Sequence, residues 1–208
     1  MPERYLSCLM ERTKHGLLAC LMIVGFLSFS NGVLAQNKFT PITTDKFSID
    51  LPSGWINDVN YMFFQLMSLA PGDTCCGDFR EFITVSSDGI PKTSLDDFFT
   101  TEKRYIKEGA KDMHQLKILG EGNTLINNEK VCWFTYSFNY KGYFWYGKDY
   151  YASQDINEND FKEYSLTEKD YFYYFKGKGY LLRCTARDTN FKKFESIFDT
   201  VSKSIRFK

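Results

Sequence analysis

The sequence predicts an α+β fold, an antiparallel sheet of about seven strands flanked by helices in an α-β-α sandwich. Three observations carry this expectation. Short segments of alternating polarity succeed one another along most of the chain, joined by tight-turn signals rather than helical crossovers. Two segments, near the middle and at the C-terminus, place apolar residues at helical spacing instead. No glycine-rich strand-to-helix phosphate loop is present, which argues against a parallel nucleotide-binding sheet.

Residues 1–35 stand outside that fold. The stretch MERTKHGLLACLMIVGFLSFSNGVLA, 10–35, reads as a cleavable secretory signal peptide. It has a basic start at Arg12, Lys14 and His15, an apolar run from Gly16 to Phe29 and a small exit residue, Ala35. The run is about 14 residues, short of the roughly 18–20 that a spanning helix needs. Cys20 lies at the start of that run, the wrong end for lipid attachment. Met10 is the expected start, because Glu3 dilutes the positive end of a longer leader, and Gln36 is the expected first mature residue. The expected location is periplasmic or secreted, with no membrane span after cleavage.

The elements follow in order, with 36–45 as a lead-in to a single domain over 46–208. FSIDL, 47–51, alternates as a half-buried strand and ends on the turn residues Pro52-Ser53-Gly54. NYMFFQLMSLA, 60–70, is apolar enough for a buried strand, PGDTCCGD, 71–78, is a loop, and FREFITVSS, 79–87, is a strand. Ser94 and Asp97 have capping-box spacing and open a helix whose apolar residues include Leu95, Phe98, Phe99 and Ile106, with Gly109 as its stop. Strands are predicted at 115–121, 124–127 and 130–140, with Gly122-Asn123 and Asn127-Asn128 as turns. Lys141-Gly142 turns the chain into a strand at 143–152, and the polar interval 153–170 reads as an exposed excursion. Strands 171–176 and 180–186 flank Gly177-Lys178-Gly179 as a hairpin. The final helix spans 190–204, capped by Thr189 or Asn190, with Phe191, Phe194, Phe198, Val201 and Ile205 on one stripe.

The order of these signals resembles the PsbP-like superfamily, a group that includes an extrinsic photosystem II protein and small exported bacterial proteins. The resemblance rests on FSIDLPSGW at 47–55, SLDDFF at the helix start, the strand GYLLRCTARD and the closing FKKFESIFDTVSKSIRF. It covers residues 44–207. These are core and turn signatures, so the resemblance implies the sandwich fold and members that mostly bind or help assemble partners. It transfers no active site. The Cys75-Cys76 loop and the aromatic density depart from the pattern.

Composition narrows the chemistry. Removing Arg4, Arg12 and Lys14 leaves 23 basic residues, and removing Glu3 and Glu11 leaves 24 acidic ones, a net charge of about −1 for 36–208. A near-neutral chain has no electrostatic footprint for nucleic acid. His114 is the one histidine after the leader, so a zinc site built on several histidines is excluded and His114 reads as an ordinary surface residue. No metal and no cofactor is expected. Cys75, Cys76, Cys132 and Cys184 remain as disulfide candidates. An adjacent Cys75–Cys76 bond is strained. Cys132 and Cys184 both alternate onto apolar faces, as a bridge or as two buried thiols. The pair Cys75-Cys76 lies between Asp73 and Asp78, acids that disfavour a thiolate and hence a redox role.

From Trp133 to Tyr151, 11 of 19 residues are Phe, Trp or Tyr. Phe134, Tyr136, Phe138 and Tyr140 share one face and Trp133 the other, as core. Tyrosine hydroxyls favour boundaries, and Tyr143, Trp145, Tyr146, Tyr150 and Tyr151 are the candidate binding surface. The expected function is an exported, non-enzymatic binding or assembly module whose partner is an envelope or extracellular protein. The first alternative is a carbohydrate-binding domain that stacks sugars on this surface. The second is a hydrolase using carboxylates among Asp96, Asp97, Asp149, Asp155, Glu158 and Asp160. DINENDFKE, 155–163, lacks the glycine and spacing of a calcium loop.

Overall fold

The computed structural model describes residues 38–61, 63–72, 79–89, 91–108, 113–142 and 161–208. In them the chain forms β1 (Phe39–Thr43), β2 (Phe47–Pro52), β3 (Ile56–Val59), β4 (Leu66–Leu69), β5 (Phe82–Ser87), α1 (Leu95–Glu108), β6 (His114–Ile126), β7 (Glu129–Gly142), β8 (Lys162–Phe175), β9 (Lys178–Arg187), α2 (Asp188–Ser204) and β10 (Arg206–Phe207). Seven strands make one antiparallel sheet in the order β3-β4-β5-β9-β8-β7-β6. The other three make a small antiparallel sheet, β1-β2-β10. No described helix is long and apolar enough to cross a membrane.

The large sheet is covered on both faces, because its strands carry apolar residues on both. On one face α1 packs Phe98 and Ile106 onto Phe134, Phe138, Leu166 and Phe172. On the other, α2 packs Phe191, Phe198 and Val201 with Phe47, Ile49 and Leu51 of β2, against Val85 and Leu182. The expected α-β-α layering is therefore present. Ser94 caps α1, its hydroxyl accepting the Asp97 N–H at 3.1 Å. The Asp97 carboxylate accepts from the N–H and hydroxyl of Thr93 at 3.3 and 3.1 Å, so the box closes one residue earlier than its usual form.

Several expectations need correction. The lead-in contains β1, which pairs with β2. β3 was not expected, because Ile56 and Val59 are exposed and give INDV no buried alternation. Among the described residues of 60–70, only Leu66–Leu69 is strand. Gly122-Asn123 is no turn: β6 runs unbroken through it and bulges near its start instead, between His114 and Lys117 and between Ile118 and Gly120. Asn127 and Asn128 do turn the chain, with φ of 55° and 67°. β7 continues through Lys141 to Gly142. The hairpin between β8 and β9 forms, but it turns on Lys176 and Gly177, with φ of 49° and 79°.

The largest correction is at 162–170. That part of the supposed excursion is the first half of β8, and it buries Tyr164, Leu166, Thr167, Glu168 and Asp170. α2 starts at Asp188, so Thr189 and Asn190 lie inside its first turn, where the Asn190 amide donates to Glu81 at 2.7 Å. The strand expected at 143–152 lies outside the described residues, as do 153–160 and the leader.

Candidate functional site

The candidate surface Tyr143, Trp145, Tyr146, Tyr150 and Tyr151 lies outside the described residues, as do Cys75, Cys76, Asp149, Asp155, Glu158 and Asp160. The other candidates can be placed. Cys132 is buried in the core under α1 and Cys184 in the core under α2. Both are unbonded, and opposite faces of the sheet keep them apart. Burial pushes both thiols up, away from thiolate chemistry. His114 is exposed. Asp96 pairs with Lys130 at 2.9 Å, and Asp97 is engaged at the helix cap. Among the described residues no three His, Cys, Asp or Glu side chains are placed to hold a metal ion.

What the sheet does assemble is a polar cluster under α1 that reading the sequence missed. Along β8 the residues Tyr164, Leu166, Glu168, Asp170 and Phe172 point to the α1 face. Antiparallel register sets Glu168 between Tyr136 of β7 and Thr185 of β9, and Asp170 between Phe134 and Arg183. Arg183 donates from Nε and Nη2 to the two oxygens of Asp170, at 3.0 and 2.9 Å, a bidentate pair. Its Nε also lies 3.2 Å from Glu168 Oε2. Thr185 donates to Glu168 Oε1 at 3.0 Å. The Tyr136 hydroxyl donates to Glu168 and lies 3.3 Å from Asp170 Oδ2.

Two carboxylates thus share one guanidinium and one phenol in a site where Tyr136 and Asp170 are 0% exposed. Burial pushes the Tyr136 hydroxyl well up, so it remains a donor. Burial also raises Glu168, with Asp170 adding to it and Arg183 opposing. Burial works against the charge on Arg183, but Asp170, Tyr136 and Glu168 outweigh it and hold the guanidinium protonated. The groups satisfy one another, and their chemistry is directed inward, pinning β7, β8 and β9 in register. A signal for this was available: the period of two at Tyr164, Leu166, Glu168 and Asp170 runs without a break into the expected strand at 171–176.

Beside the cluster, α1, β5 and β9 line an open pocket of about 250 Å³ with Ser86, Asp88, Phe98, Glu102 and Leu181. Asp88, in its lining, pairs with Lys92 at 2.8 Å. Glu102 is pushed up, first by burial and then by Asp88.

The second open feature is the β6 edge of the large sheet. Ile118, Leu119 and Leu125 are exposed there, Leu125 at 73%. Behind it lies Trp133 of β7, whose indole crosses the backbone of the edge strand. A Cβ on Gly122 would come within 3.0 Å of the ring, and one on Gly120 within 3.3 Å.

No protein-family model matches the chain, and no curated protein matches it in sequence. Solved structures do. The solution structure of the cyanobacterial PsbP, CyanoP, from Synechocystis sp. PCC 6803 superposes with a TM-score of 0.54 at 13% identity, over 85% of this chain and 96% of that one. PA94, a protein of unknown function from Pseudomonas aeruginosa, gives 0.47 at 9% identity, over 79% and 94%. LpqN, involved in cell envelope biogenesis of Mycobacterium tuberculosis, gives 0.47 at 10% identity, over 82% and 91%. The CyanoP superposition shows a PsbP-like fold, as FSIDLPSGW and the terminal helix implied.

Proposed function

We propose that this protein is an exported, non-enzymatic binding or assembly module that engages an envelope or extracellular protein. The observation that carries this reading is how the buried ionisable groups are used. Glu168, Asp170, Arg183 and Tyr136 bond to one another across three strands. The polar chemistry of the interior therefore holds the sandwich together, and contact with other molecules falls to the surface. The leader at 10–35 supports export. The PsbP-like fold is compatible with binding without choosing the partner.

Fractionation of cells producing the full chain tests the reading. The expected product begins at Gln36, lies outside the cytoplasm, and retains a discrete, saturable protein partner when affinity-captured from the envelope fraction. An intact leader in the cytoplasm would remove the export half. Glycan-array binding lost in Trp145→Ala would replace protein binding with carbohydrate binding.

A further inference from the structure

We propose that the regular half of β6, Gly120–Ile126, captures an extended segment of another protein by strand addition, and that Trp133 receives a large apolar side chain of that segment. This deepens the binding-module reading and rests on it. Three properties of the edge carry the inference.

The first is hydrogen-bonding capacity. Ile126 and Glu129 close the two-residue turn at Asn127-Asn128, so they form a hydrogen-bonded pair. Alternation gives the same role to Thr124, Gly122 and Gly120 opposite Val131, Trp133 and Thr135. The N–H and C=O groups of Glu121, Asn123 and Leu125 therefore point away from β7. All three residues are exposed, and their outward groups match the spacing of an added strand.

The second is the lack of protection among the described residues. Sheet edges are commonly blunted by bulges, inward charges or proline. Both irregularities of β6 lie before Gly120, and Gly120–Ile126 stays in plain register with β7. Two of the charges beside it are paired, Glu121 with Lys103 at 3.0 Å and Lys130 with Asp96 at 2.9 Å. An uncharged strand meets no repulsion there.

The third is shape, and it identifies the occupant. Gly120 and Gly122 leave the α2-side of the edge without side chains, and the Trp133 ring lies directly against them. An aromatic over edge glycines stabilises the strand. It also forms a shelf beside the open edge, its ring 5.8 Å from Lys169 Nζ. A residue opposite Gly122 on an incoming strand points to that side and lies over the shelf. A second copy of this chain brings nothing to it. Two-fold pairing of β6 centred on Glu121, Gly122, Asn123 or Thr124 sets Gly120, Gly122, Thr124 or Ile126 opposite Gly122, and Ile126 is already buried in its own core at 5% exposed. A heterologous segment with Phe, Trp, Leu or Ile at that position fills it.

The test uses the full chain and a random dodecapeptide library displayed on phage, with backbone amide exchange followed by NMR. Enriched peptides are expected to carry a large apolar residue and to slow exchange at Glu121, Asn123 and Leu125 at least tenfold. Asn123→Pro removes an outward N–H and leaves the β6–β7 ladder intact, so it is expected to abolish binding while Gly122 and Thr124 stay protected. Leu125→Pro does the same at a second outward N–H, should the first variant fold poorly. Peptides that bind these variants as well as the parent would overturn the edge site and leave the binding-module reading standing. Protection of the three amides without peptide, together with a dimer mass in sedimentation, would overturn it in favour of self-pairing. A library that yields no binder would also overturn it.

Discussion

At the scale of single residues, the polar cluster under α1 makes opposite demands on its members. Arg183 neutralises Asp170 through two hydrogen bonds and touches Glu168 as well. Arg183→Met leaves two buried carboxylates without a counter-charge. Breaking a buried pair in this way costs about 3–5 kcal/mol, and urea denaturation should show a loss of that order. Tyr136→Phe keeps the ring but withdraws a donor from Glu168. The expected loss is about 1–3 kcal/mol, the cost of one unsatisfied buried acceptor. Glu102 has the reverse logic. Its folded-state carboxyl titrates above its unfolded value of 4.5, chiefly through burial. The stability it contributes is therefore complete below that value and is lost as pH rises through the folded value. Glu102→Gln should raise the melting temperature above the parent at pH 7, with the gap closing by pH 4. Asp199 is an internal contrast: burial alone would raise it, but Lys169 and Tyr171 lower it overall. Asp199→Asn should cost stability at pH 7, and the deficit should shrink as acid protonates the parent.

At the scale of elements, legibility followed the way each segment buries its side chains. Both helices carry a single apolar stripe, so Phe98 and Ile106, and then Phe191, Phe198 and Val201, were readable from spacing alone. The β8–β9 hairpin was readable because large apolar residues flank glycines. The first half of β8 was not, because its inward positions include Glu168 and Asp170, and acids at a period of two look like a solvated face. Their partners, Tyr136, Thr185 and Arg183, lie 13 or more residues away in sequence. No local pattern announces such a pairing. β3 was missed for the opposite reason, since its apolar residues are exposed. The meeting of α1 with the hairpin was also invisible, and it depends on one glycine. A Cβ at Gly179 would lie 2.7 Å from the Phe98 ring. Gly179→Ala is expected to cost about 1–3 kcal/mol, the range for overpacking a core. In a double-mutant cycle with Phe98→Leu, a positive coupling would assign that cost to the ring, whereas simple additivity would rule the ring out.

At the scale of the molecule, the described domain is closed by its two ends. β1 and β10 come from opposite ends of the described domain and flank β2 in the small sheet. β10 is two residues long, yet its Phe207 packs against Phe47, Tyr173, Phe175 and Tyr180, at centroid distances of 6.3, 5.5, 5.8 and 4.4 Å. One ring therefore joins the small sheet to the end of the β8–β9 hairpin in the large one. Truncating a buried phenylalanine costs about 3–5 kcal/mol. Phe207 is half-buried, so Phe207→Ala should fall near the lower end, about 3 kcal/mol. Where that loss registers is the more informative measurement. Trp55 packs on Phe194 of α2, beside the small sheet, and Trp133 lies on the large sheet near β6. If the two sheets share one core through Phe207 and α2, both tryptophans report the same shifted midpoint in denaturant, the mark of a single cooperative unit. If the small sheet is a separable layer, the Trp55 signal moves to lower denaturant while Trp133 stays. The common core of Phe47, Ile49 and Leu51 with Leu182 and Val201 favours the shared midpoint. On that basis the last three residues are a structural closure, and deleting Arg206–Lys208 should destabilise the whole domain at least as much as Phe207→Ala.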